Sequence, residues 1–265
     1  MWTTLALLSA LSVTPGQNDL SLTHPRATLG LLGPPRSTKT ISPGDILYLC
    51  FDIEGISVDE QGTVRYSTAL EVSDASGKLL FKRAPEKAEA KMSLGGNRVP
   101  AYAQISVGLE TPPGEYSCKI TVKDLVSGKQ TSLMRSAKVV AKDFALVRTA
   151  VSVDLDGEYP VIVFACGQGI WVHSSVVGFA RDRVSKQPHV VFTLRALDER
   201  GKPIYDKPMT NAVKKDVPEK APDVPMAFPL SLNRPGKFTV ELVASDEISG
   251  KKAKISFPIT VHSGQ

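Results

Sequence analysis

Three cysteines and four histidines are the residues of this chain best suited to nucleophilic or metal chemistry, and their spacing argues against both. None of His24, His173, His189 and His262 stands two or four residues from another histidine, a cysteine or a carboxylate, so the chain offers no zinc-type ligand set. Cys166 precedes the turn Gly167-Gln168-Gly169 and has no adjacent basic or imidazole group to favour its thiolate. Asp154, Asp156 and Glu158 alternate around Gly157 as acids do in calcium loops. The further oxygen ligands and the closing bidentate Glu of an EF-hand are missing. Asp52, Asp59 and Glu60 read as strand-end and turn acids. The sequence holds no G-x-S-x-G elbow, no P-loop and no H-E-x-x-H pair. Ser93-Leu94-Gly95-Gly96-Asn97 has two glycines without a strand-then-helix pattern, so it reads as a shaped loop and not a phosphate cradle. No catalytic residue, metal or cofactor is expected. What remains is recognition.

The elements that would present such a surface occur twice. Pro113-Gly114-Glu115-Tyr116-Ser117-Cys118 through Asp124, followed by Ser127-Gly128-Lys129, returns as Pro235-Gly236-Lys237-Phe238-Thr239-Val240 through Asp246, followed by Ser249-Gly250-Lys251. Upstream, Leu70 to Leu79 with its Asp74-Ala75-Ser76-Gly77 turn returns as Leu194 to Pro203 with Asp198-Glu199-Arg200-Gly201. The offsets of 122 and 124 residues make the repeat a whole domain, well beyond a solenoid unit.

Within each copy the pattern is that of short strands and turns. Ile46 to Ile53 is apolar on both faces, Val64 to Val72 alternates, and Leu79-Leu80-Phe81 returns as a hairpin partner. Gln104 to Val107, Tyr116 to Val122 and Thr131 to Val140 complete about seven strands, with no helical periodicity. The expectation is all-β: two tandem antiparallel β-sandwiches of the immunoglobulin-like kind, over residues 28–142 and 143–265. The Pro-rich stretch from Val217 to Pro225 is expected to be a loop, because proline cannot donate within a central strand. It would match Leu94 to Pro100 of the first copy.

Composition sets the remaining bounds. Hydrophobic residues at 42% suffice for two cores, and Gly and Pro, 20 and 19, suit many turns. The net charge of +5 comes from 32 basic residues interspersed among 27 acidic ones, a mixed surface and not a nucleic-acid footprint. Leu5 to Leu11 is a short apolar run and Ala10-Leu11-Ser12 a small-x-small cleavage pattern, so residues 1–16 read as an export signal and residues 17–27 as a linker. No later run reaches the length of a membrane span.

Pro113-Gly114-Glu115-Tyr116-Ser117-Cys118 and its counterpart Pro235 to Val240 resemble the penultimate strands of immunoglobulin-like and fibronectin-III-like modules. Tyr116, two residues before Cys118, holds the place of the tyrosine corner. The whole chain also resembles uncharacterised exported two-domain bacterial proteins. The resemblance puts Cys50 on an early strand, where the first cysteine of such a domain stands, and so leaves two possibilities for Cys50 and Cys118: an intersheet disulfide or separate thiols. It carries no activity with it. The expected role is a non-catalytic exported module for protein interaction or spacing at the cell envelope, partnered by another envelope or extracellular protein and not by a small molecule. The loops Gly95, Gly96, Asn97, Arg98 with Tyr102, and Pro222, Asp223 with Met226, are the expected contact points. Carbohydrate binding through Trp171 and Tyr102, or a periplasmic chaperone-like role, are the alternatives.

Overall fold

Alternation of side chains along each strand decides which face is buried. In the computed structural model, which describes residues 19–264, Leu47, Leu49, Phe51 and Ile53 of one strand turn inward to meet Val64, Leu70 and Val72, and Cys118, Ile120 and Val122, from the facing sheet. The first sandwich is built from β1 (Ser21–Thr28), β2 (Thr40–Ile41), β3 (Ile46–Glu54), β4 (Thr63–Asp74), β5 (Leu79–Lys91), β6 (Arg98–Ser106), β7 (Gly114–Asp124) and β8 (Gln130–Val139). One sheet runs β1-β3-β6 and the other β2-β8-β7-β4-β5. The second sandwich is built from β9 (Ala145–Ser152), β10 (Phe164–Ala165), β11 (Gly169–Val177), β12 (Val190–Leu197), β13 (Met209–Val213), β14 (Asp223–Ser231), β15 (Gly236–Asp246) and β16 (Lys252–His262). Its sheets, β14-β11-β9 and β10-β16-β15-β12-β13, repeat the same order. Pairing is antiparallel throughout except at the short β2–β8 and β10–β16 contacts. Among the described residues there is no helix. The fold is all-β and doubled, as the repeat implies.

The correspondence reaches single residues. β1 and β9 both break register against their partners, and the residue at each break, His24 or Arg148, has a left-handed φ of 49° or 53°. At the far end of each sandwich an aspartate buried to 1% exposure closes the β7–β8 or β15–β16 hairpin. Asp124 accepts hydrogen bonds from Ser127 Oγ (2.6 Å), Val126 N (2.8 Å) and Ser57 N (2.9 Å). Asp246 accepts from Ser249 Oγ (2.6 Å), Ala180 N (2.8 Å) and Ile248 N (3.1 Å). Ser57 and Ala180 lie on the crossings from β3 to β4 and from β11 to β12, so each carboxylate ties a hairpin to the chain passing between the sheets. Burial pushes both carboxyls up, but these donors outweigh it and hold them below the ordinary aspartate value.

The two sandwiches meet through the loop after β1. Leu29 is 2% exposed and belongs to the core of the second sandwich. Gly30 (φ 74°) approaches so closely that an added Cβ would lie 2.8 Å from Ala150 Cβ. Asp45, itself buried, accepts from the Arg36 guanidinium (2.5 Å) and from Arg148 N (2.7 Å). Arg148 also reaches Gly44 O (3.1 Å) and Asp223 (3.2 Å). Ser37 Oγ donates to Ser256 O on β16 at 3.3 Å.

Three expectations need correction. Of the stretch 17–27 expected to be a linker, the described residues are not one: Leu20 joins the first core and Ser21 onward forms β1. Its polar residues sit on a sheet edge with only part of one face covered, which hides the strand from a hydrophobicity reading. The expected export signal lies outside the described residues. Asp223 and Met226 belong to strand β14 and not to a loop; β14 is a sheet edge, where Pro225 and Pro229 need no outward donor. Arg98 and Tyr102 likewise lie in β6, which begins six residues before the short strand expected at Gln104.

Two outcomes follow for stability. Asp246→Asn places an amide against several donors, and chemical unfolding should show a loss of about 2 kcal/mol. Because the folded carboxyls sit below their unfolded value, their contribution is complete above pH of about 4 and disappears as pH falls through the folded pKa. The Asn variant should lack its share of that acid sensitivity. Leu29→Ala should cost about 3 kcal/mol, expressed in the unfolding of the second sandwich although Leu29 precedes the first sandwich's second strand. Unchanged unfolding of the second sandwich would contradict the junction described.

Candidate functional site

At the end of the first sandwich where β5 and β6 form the two sheet edges, the sheets separate around a cleft of about 510 Å³. Val72, Ile105, Val107, Tyr116, Ala137 and Val139 form its walls. The second sandwich has the same mouth, walled by the corresponding Ala196, Leu230, Leu232, Phe238, Ile259 and Val261, but there the volume is about 80 Å³. Ile204 and the largely exposed Tyr205 stand at its rim, and a second hollow of about 360 Å³ adjoins it against Ala196, Tyr205 and Leu230, so the second mouth is split where the first is continuous.

One position accounts for it. The turns Asp74 to Lys78 and Asp198 to Lys202 are equivalent, each closed by an aspartate accepting the amides two and four residues on. Leu79 follows the first turn and Pro203 the second. Leu79 pairs with Ser73 and β5 continues for 13 residues along β4. Pro203 has no amide to donate, so the ladder stops at one bridge to Leu197; Ile204 N bonds back to Ala196 O (2.9 Å), leaving Ile204 half-buried at the mouth and Tyr205 mostly in solvent before β13 begins. In the first sandwich Leu79, Leu80 and Phe81 therefore stay on the rim, each about half exposed (47–49%).

The cleft is apolar with a single cation at its edge. Arg83 donates across the mouth to Gln104 O at 3.3 Å. Tyr116 OH donates to Pro112 O (2.7 Å), the tyrosine corner expected from its position. Phe238 lacks that hydroxyl, and Arg234, in the place of Pro112, stacks on its ring at 4.9 Å. Cys118 lies on the floor, and burial pushes its thiol up to about 11, so it is not a nucleophile at neutral pH.

The structure disperses the residues expected from sequence. Cys50 and Cys118 are free thiols, the second of the two possibilities left open by the sequence. Cys118 faces the core, whereas Cys50 alternates with Leu49 and Phe51 and so points to the outer face, where its sulfur lies 3.3 Å from Thr28 Oγ1. His173, the counterpart of Cys50, likewise meets Ser152, the counterpart of Thr28, at 2.6 Å. Gly95, Gly96 and Asn97 form an exposed turn at the end of β6 away from the cleft. Arg98 pairs with Asp52 and Glu54, and Tyr102 is exposed on the outer face beside Tyr48, whose hydroxyl pKa is raised by burial and by Tyr102. Pro222 ends a turn, Asp223 pairs with Arg148 at the junction, and Met226 is in the second core. Asp154 accepts the amides of Glu158 and Tyr159 in its own loop, and the described residues hold no group of metal-ligating side chains. The cleft itself escaped the sequence reading; its signal is three consecutive apolar residues, Leu79 to Phe81, on a hairpin whose second copy begins with proline.

No family model matches the chain, and no curated protein matches it. Among solved structures, red sea bream transglutaminase aligns at 10% identity and a TM-score of 0.27, over 93% of this chain and 31% of that one. This chain thus spans under a third of the transglutaminase's length. The fibronectin(III)-like modules of Clostridium thermocellum CbhA align at 12% identity and a TM-score of 0.23, over 92% of this chain and 95% of theirs. Among the described residues, no helix is long and apolar enough to cross a membrane.

The placement of the thiols has a direct test. In the native protein at neutral pH an alkylating reagent should label Cys166, the partly exposed one, before the two buried thiols. Non-reduced peptide mapping after exposure to oxidant should recover no Cys50–Cys118 link.

Proposed function

We propose that the chain is a non-catalytic recognition module that binds an extended segment of another protein in the cleft of its first sandwich. The observation that carries this reading is the internal comparison: one architecture, whose mouth is a continuous cleft of about 510 Å³ in the first copy and is split at Tyr205 into hollows of about 80 and 360 Å³ in the second. The open mouth combines aliphatic walls with the rings of Phe81 and Tyr116, which suits an aliphatic–aromatic pair on the inserted segment. The apolar walls supply the affinity, and Arg83 at the rim favours a carboxylate flanking the inserted pair. An envelope or extracellular protein is the partner class that fits the export-like N-terminal sequence.

A peptide array displayed to the full chain tests the reading. Peptides with an aliphatic–aromatic pair should be retained above scrambled controls. Phe81→Asp, an exposed change on the rim, should weaken retention by about tenfold, or 1.4 kcal/mol. Leu79→Pro should also weaken it, by breaking the β4–β5 pairing that holds Leu80 and Phe81 on the rim. Retention indifferent to sequence and to both changes would refute it.

A further inference from the structure

The end of the second sandwich repeats the end with which the first one grips its neighbour. Thr28 bridges Pro35 and Leu29 N donates to Pro34 O (2.9 Å); correspondingly, Ser152 bridges Pro160 and Val153 N donates to Tyr159 O (2.9 Å). Gly44 N reaches Val107 O at 2.9 Å, and Gly167 N reaches Leu232 O at 2.8 Å. The loop that carries Leu29 into the second core thus has a structural twin at the opposite end of the molecule. Leu29 is covered there. On the twin, Val153, Leu155, Tyr159, Ile162 and Val163 are 47–64% exposed, a run of large apolar residues on one loop system. Asp156 and Glu158 are exposed within the same loop.

The receiving side also has a twin. In the second sandwich the Leu29 loop lies against β9 and β16, touching Ala150 and Ser256. By strand register, Arg26 on β1 and Met134 on β8 hold those places in the first sandwich. Between β1 and β8 runs a groove of about 300 Å³ lined by Pro25, Arg26, Ala27, Leu133 and Arg135. Its arginines oppose the acids of the second sandwich's loop, and its aliphatic walls suit Val153 and Leu155.

We infer that the chain associates head to tail, the Val153–Val163 end of one copy docking on the β1–β8 groove of the first sandwich in a second copy. The contact follows the intramolecular junction with different chemistry: Asp154 and Arg26 stand where Gly30 and Ala150 approach so closely. Where Asp45 caps the Arg148 amide inside the chain, the intermolecular joint relies on loop acids meeting Arg26 and Arg135. Such a contact uses different surfaces on the two copies, so it does not stop at two.

Sedimentation velocity of the full chain over a range of concentrations tests this. The expected result is growth past the dimer at low salt, reversed at high salt as exposed charge pairs are screened. The double variant Tyr159→Ser, Ile162→Ser, at two exposed positions, should weaken association by about tenfold or more. Arg26→Glu should do the same, and combining it with Glu158→Lys should restore assembly. Phe81→Asp in the cleft should leave assembly unchanged, which separates this inference from the peptide-binding reading. A monomer at every concentration, a species that stops at two copies, or assembly indifferent to both variants would overturn it.

Discussion

A buried carboxylate at the hairpin of each sandwich is the interaction on which the rest depends. Two sheets can pack face to face by apolar burial alone, but burial is not directional and leaves their relative register loose. Asp124 and Asp246 remove that freedom. Each closes the turn that joins the last two strands and, through the amide of Ser57 or Ala180, fixes the crossing between sheets. A charge with so little solvent is tolerated only when several donors surround it, and the Asp-x-x-Ser-Gly-Lys segment supplies them within four residues. The repeat of this segment is therefore a repeat of the constraint, and the strand order follows it in both copies.

With the frame held so firmly, small local changes can specialise the two copies without disturbing the fold. Proline at 203 stops a ladder that leucine at 79 allows to continue. The consequence reaches the nearby intersheet mouth: the freed segment sets Ile204 and Tyr205 at its rim and splits it into two hollows, while the mouth of the first copy stays one continuous apolar cleft. The same logic applies to the loops after β1 and β9: one hides its leucine in a neighbour, whereas the other presents valine, leucine and tyrosine to solvent.

The junction gives these differences a direction. Leu29 and Gly30, with the bonds of Arg148 to Asp45 and Gly44, join the sandwiches through side-chain burial and hydrogen bonds, so the two domains share one interface and not merely a linker. A module so connected has unlike ends, one carrying the β1–β8 groove and the other the exposed apolar loop. The open cleft lies close to the joint, bounded by Val107 and Val139, from which the chain leads into the second sandwich. The proposed recognition in the cleft and the proposed assembly through the ends would use separate surfaces.

Much of the fold was legible in the order of residues. The two copies, the inward stripe of Cys118, Ile120 and Val122, the turn aspartates and the tyrosine corner are all local patterns, set by alternation and by turn chemistry within a dozen residues. The β1 strand was not legible, since its polar sequence becomes a strand only when β3 offers a pairing edge. Nor were Pro225 and Pro229 in β14, tolerated because that strand is an edge. The direction of Cys50 depends on a pleat whose two faces are both buried, and apolarity cannot distinguish them. The candidate cleft was least visible of all: its lining comes from seven strands, β2 to β8, that are brought together only in the folded sandwich. By itself the sequence determined a doubled all-β chain with its hairpins and core stripes, because those follow from short-range periodicity. Tertiary structure alone decided which sulfur faces which side, which loop is buried in a neighbour and which mouth stays open, because each depends on what distant segments bring into contact.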